Sequence, residues 1–135
     1  MDKIWTALCK EAKNKIKTQE ISPFIEYGNY ACAILSSENK IYSGVSITST
    51  TGLNSSAEKS AITSMFNNGE KIIEKIVIMN ELEELLSPSV DCLEFLLELN
   101  SNPSNIEILL DLESMKVVKL SDLIPDWWGT YRNKK

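Results

Sequence analysis

Two stretches leave no face for water. Tyr30-Ala31-Cys32-Ala33-Ile34-Leu35 carries apolar side chains at successive positions, and Ile72, Ile73, Ile76, Val77 and Ile78 crowd the segment from Lys71 to Met79. Successive side chains of a strand point to opposite faces, so strands of this composition must be covered on both sides. The remaining segments supply the cover. Ile4, Trp5, Leu8, Cys9, Ala12 and Ile16 recur at helical spacing behind Asp2, a suitable N-cap. Ser22-Pro23 and Gly28-Asn29 then read as loop, and Lys40 to Ile47 alternates as a hairpin partner of the first buried strand. A second helix has Ala57, Ala61, Ile62, Met65 and Phe66 inward and Gly69 as its stop. Pro88 opens a third, with Leu93, Leu96 and Leu97 inward, Phe95 and Leu99 near its edges, and Asn100 and Pro103 ending it. Ile106–Leu110 and Lys116–Leu120 read as the last strands, followed by a helical turn over Ser121-Asp122-Leu123-Ile124-Pro125. The order predicts a single α/β domain: three layers, α/β/α, around a mixed five-stranded sheet.

Composition narrows the chemistry. The 135 residues contain no histidine, which excludes a Ser-His-Asp triad, a Cys-His pair and any imidazole metal ligand. The net charge is -5 and Arg132 is the only arginine, so a nucleic-acid polymer, which is bound through clustered Lys and Arg, is not the expected partner. No run approaches the roughly 18 apolar residues of a membrane span, and no apolar stretch with a small-residue cleavage site follows Met1-Asp2-Lys3-Ile4-Trp5. Cys9, Cys32 and Cys92 are unclustered and read as free thiols of a reducing compartment, giving a cytoplasmic expectation.

Both interior helices open on serine. Ser55-x-x-Glu58 has the form of a capping box, and Ser87 before Pro88 that of an N-cap with first-turn proline. In an α/β sheet the loops after parallel strands form the usual ligand crevice, and the starts of both helices would face it. Glu58 and Cys92 then become neighbours, with Cys92 either a small buried hydrophobe or a helix-start thiol. Ser56-Ala57-Glu58-Lys59 also matches the loose S-x-x-K pattern, but the K-T-G and S-D-N partners of that chemistry are missing. Glu81, Glu83 and Glu84 read as a solvated edge. Trp127 and Trp128, adjacent on an extended tail that also carries Tyr131, point opposite ways, one onto its own subunit and one outward.

The segments Ser56-Ala57-Glu58 and Pro88-Ser89-Val90-Asp91-Cys92 resemble the [HC]-A-E and P-C-x-x-C motifs of zinc-dependent nucleobase deaminases. With Lys40-Ile41-Tyr42-Ser43-Gly44-Val45 before them and Asp122-Leu123-Ile124-Pro125 after, the chain resembles the cytidine deaminase family nearly end to end, and most closely its small cytidine/blasticidin-S members. The resemblance implies their three-layer fold and a homo-oligomer, a tetramer or dimer. It places Glu58 at the proton-shuttling position, Ser56, Ser89 and Cys92 at the three zinc-ligand positions, and Ser46 and Thr48 where nucleoside-specific members bind ribose. Two of three ligands are then serine. The expectation is a protein with no cofactor and no zinc-dependent hydrolytic deamination, whose pocket binds a small nucleoside-like ligand through Ser46, Thr48, Ser56 and Ser89 or serves assembly. The alternative is an active zinc-dependent nucleoside or nucleoside-antibiotic deaminase with an unusual ligand set. A third possibility is a subunit that assembles with an active paralogue.

Overall fold

The computed structural model describes residues 3–99 and 106–128. The elements are α1 (Lys3–Lys15), β1 (Gln19–Ser22), β2 (Ile25–Ser36), β3 (Ile41–Ser49), α2 (Ala57–Asn67), β4 (Ile73–Asn80), α3 (Val90–Leu99), β5 (Glu107–Asp111), β6 (Lys116–Lys119) and α4 (Leu120–Leu123). Strand β2 is the hub. It pairs antiparallel with β3 along one edge and with β4 along the other. Beyond β4 the sheet continues with β5, parallel to it, and β6, antiparallel to β5.

The described sheet has six strands where the sequence predicts five. The extra strand is β1, which pairs Gln19 with Tyr27 and Glu20 with Glu26 along the start of β2. That stretch reads as loop because four largely exposed residues next to Ser22-Pro23 carry no apolar alternation. Backbone pairing defines the strand, and the Tyr27 hydroxyl donates across it to the Gln19 Oε1.

The two-faced strands divide their side chains between two cores. Cys32, Ile34, Ile76, Ile78, Ile106 and Ile108 face α2, α3, α4 and Trp127. Ala31, Ala33, Leu35, Val77, Met79 and Leu109 face Trp5, Leu8, Cys9 and Ala12 of α1. Each fully buried Ile or Leu contributes roughly 1.5–3 kcal/mol of transfer free energy. Lys75, opposite Glu107 across the parallel pair, also lies over the Trp5 ring with its Nζ 5.1 Å from the centroid, tying α1 to the sheet.

Two glycines are required by close approach. A Cβ on Gly44 of β3 would lie 2.4 Å from the Ala61 nitrogen, so α2 rests directly on the strand there. Gly28 has φ +91°, and a Cβ on it would lie 2.2 Å from the Lys17 carbonyl oxygen.

Some boundaries differ from the sequence reading. Phe66 points outward, since the α2 stripe that meets the sheet is filled by Ala57, Ala61, Ile62 and Met65. Ile72 precedes β4 and is exposed, and α4 begins at Leu120, whose side chain closes the pocket-side core. Glu83 meets Lys13 at 3.4 Å on the surface. Asp2, Asn100, Pro103, Tyr131 and Arg132 lie outside the described residues.

Candidate functional site

Strands β3 and β4 flank β2 and both run against it, so they run in the same direction. Each is followed by a helix, which brings the starts of α2 and α3 to one end of the sheet. Between those starts is a hollow of about 340 Å³ lined by Ser56, Lys59, Ser89, Asp91, Cys92 and Phe95. The three positions implied as zinc ligands, Ser56, Ser89 and Cys92, therefore meet in one pocket.

Both serines close their own helices. The Ser56 Oγ accepts from the Lys59 N–H at 3.1 Å, and its backbone is extended as an N-cap requires. Ser55 does not form the expected capping box, because its backbone pairs in both directions with Ile47 and so prolongs the β3 ladder. The helix starts one residue later, which moves Glu58 from the third helical position to the second and turns it inward. Its side chain is 7% exposed. The other helix is capped later than Ser87-Pro88 suggests. The Ser89 Oγ accepts from the Cys92 N–H at 3.4 Å and the Ser89 carbonyl accepts from Leu93. Leu86 donates to the Ile78 carbonyl and keeps the preceding chain along β4, so Pro88 is a buried residue ahead of the helix rather than its first turn.

Under the pocket, Cys92 and Cys32 gather around Glu58. Burial pushes the Cys92 thiol well above its ordinary value, and the Glu58 carboxylate adds to this by its charge and by accepting the thiol's hydrogen bond. Cys32 is raised by complete burial first, then by Glu58 and Cys92. Both thiols are held neutral at physiological pH. Cys32 reads in the sequence as a strand-interior thiol. Its place in this cluster could have been found from alternation, since it shares its side of β2 with Ile34, which faces α2.

Ser46 and Thr48 are placed apart from this pocket. The Ser46 hydroxyl is buried and accepts the Tyr30 N–H at 3.1 Å, where the β2–β3 register shifts. Thr48 is exposed in a separate hollow beside Glu20, Phe24 and Glu26. Lys59, Asp91 and Phe95 line the pocket beyond the positions that the resemblance implies. The signal for Lys59 was available: a residue three positions past an N-cap sits above the cap on the same face.

Chemically the pocket offers an ammonium, a carboxylate, two hydroxyls and an aromatic ring, with a buried carboxylate and thiol below. Among the described residues no three His, Cys, Asp or Glu side chains converge in an arrangement that could hold a metal ion. No described helix is long and apolar enough to cross a membrane.

No family model and no curated protein sequence matches the chain. Solved structures do. The fold is similar to that of cytidine deaminase from Mycobacterium tuberculosis, with TM-score 0.74 and 21% identity over 93% of this chain and 97% of that one. Cytidine deaminase from Bacillus anthracis gives TM-score 0.70 and 21% identity, covering 96% of this chain and 92% of that one. The Burkholderia pseudomallei enzyme gives 0.69 and 23%, covering 90% and 96%. The chain has the cytidine deaminase fold.

Proposed function

We propose that this chain, built on the cytidine deaminase fold, binds a small nucleoside-like ligand between the starts of α2 and α3 and does not carry out zinc-dependent hydrolytic deamination. The observation that carries the reading is the state of the three groups at the implied metal positions. Zinc is held by thiolate, imidazole or carboxylate. Two of the groups here are neutral hydroxyls whose oxygens already accept helix amides, which leaves Cys92 as the single thiol among the three positions. These donors do not fit the metal. Glu58 alone does not replace it, since lowering the pKa of a water from 15.7 to about 7 is the work of the bound ion.

The pocket still suits a ligand. Its volume lies within the usual range for small-molecule sites, and its few polar groups converge on one hollow. The same proposal makes the chain a cytoplasmic homo-oligomer, dimer or tetramer. Leu53 and Val90, 84% and 72% exposed beside the starts of α2 and α3, supply apolar surface for such contacts.

Elemental analysis tests the metal half, on protein purified under reducing conditions without chelator and then dialysed against zinc. Less than one-tenth zinc per chain is expected. Near-stoichiometric zinc that disappears in Cys92→Ala overturns the reading and favours a deaminase acting on cytidine or blasticidin-like substrates. Thermal melts with cytosine, cytidine, cytidine 5′-monophosphate and simple amines test the binding half. At least one should raise the midpoint, and a flat result across the set removes the ligand-binding role.

A further inference from the structure

We infer that the ligand of this pocket is a nucleotide, with an amino-bearing base and an anionic phosphate, rather than an uncharged nucleoside; this rests on the binding role proposed above and narrows it. Lys59 of α2 and Asp91 of α3 line the same hollow. They are not within ion-pair distance of each other, and among the described residues neither side chain has another charged partner or a hydrogen bond. Opposite charges that share a pocket without neutralising each other leave two separated subsites.

The donor and acceptor inventory says what each subsite takes. Lys59 is a pure donor. The Ser56 and Ser89 oxygens each accept one backbone amide and keep their O–H free to donate inward, beside one remaining lone pair. One cation and two hydroxyl donors match a group that only accepts, and phosphate oxygens are of that kind. Ionised Asp91 only accepts, which suits the exocyclic amino group of a base. Phe95, 39% exposed in the same hollow, presents a ring surface for the base itself. An uncharged nucleoside would use Asp91 and Phe95 but leave Lys59 without a counterpart.

Calorimetric titration of the full chain with cytidine and with cytidine 5′-monophosphate tests this, using the wild type, Lys59→Gln and Lys59→Arg. The monophosphate should bind about tenfold or more tightly than cytidine, the scale of one charge-assisted contact. That ratio should fall to about one in Lys59→Gln and return in Lys59→Arg, and it should shrink with added salt. Equal affinities in the wild type, or a ratio unmoved by Lys59→Gln, overturn the nucleotide inference while leaving the pocket as a nucleoside site. Binding of neither probe overturns both.

Discussion

At Cys92, burial and the neighbouring carboxylate act in the same direction, both favouring the neutral thiol. A folded-state value raised above the ordinary 9.0 means that the folded chain holds a proton the unfolded chain releases. The associated stability is intact below about pH 9 and is lost as pH rises through and beyond it. Cys32 adds to the same loss. Urea unfolding between pH 7 and 10.5 should therefore show a midpoint falling above pH 9, less steeply in Cys92→Ala. Iodoacetamide should leave folded Cys92 unmodified at pH 8 and label it once urea opens the fold; prompt labelling of the folded chain would contradict the buried, carboxylate-paired thiol. Residue by residue, the sequence reveals which side chains meet at the site better than how they are held. Ser56, Ser89 and Cys92 do come together. The capping pattern misplaces both helix starts, because a local motif contains no signal that Ser55 is claimed by Ile47 on another strand, or that Leu86 is still paired to Ile78.

Among the elements, α2 depends most on a single contact with the sheet. Gly44 lets its backbone at Ser60 and Ala61 touch β3, and the 2.4 Å a Cβ would leave is backbone that cannot rotate away. Gly44→Ala should lower unfolding stability by about 1–3 kcal/mol, the cost of overpacking a close-packed contact, and widen the pocket end of α2. A chemical-denaturation change below about 0.5 kcal/mol would show that the helix is free to lift. Elements whose side chains repeat with the right period are legible from sequence: α1, β4 and α3 are, within a residue or two at their ends, whereas β2 begins at Ile25 rather than Tyr30, because Gly28-Asn29 reads as loop yet continues the strand. Strand β1 is not, because an edge ladder that extends past the core is stabilised by backbone hydrogen bonds, which any residue but proline can make.

For the whole molecule, the sheet is a wall shared by two cores. Ile76 and Val77 are neighbours in β4 yet belong to opposite sides, as do Ile108 and Leu109 in β5. Neither core can dissolve without exposing the back of the other, so unfolding should be one transition. Trp5 lies in one core and Trp127 in the other. Single-tryptophan variants retaining one or the other should give coincident denaturation curves, and Leu8→Ala or Ile62→Ala should each shift both by about 2–5 kcal/mol. Separate midpoints would mean that α1 and its core come away alone. The need for cover on both faces was readable from the two-faced strands, and the helical spacing of the segments around them says what supplies it. The pocket's charge was not, because Lys59 and Asp91 read as ordinary surface residues in the chain and come to one hollow only through the direction of β3 and β4.

Serine is among the residues that helices favour at their first boundary. At Ser56 and Ser89 the side chain that caps a helix is also a side chain that lines the pocket, so one atom answers to two demands. Replacing either serine therefore alters the start of a helix and the wall of the pocket in the same step.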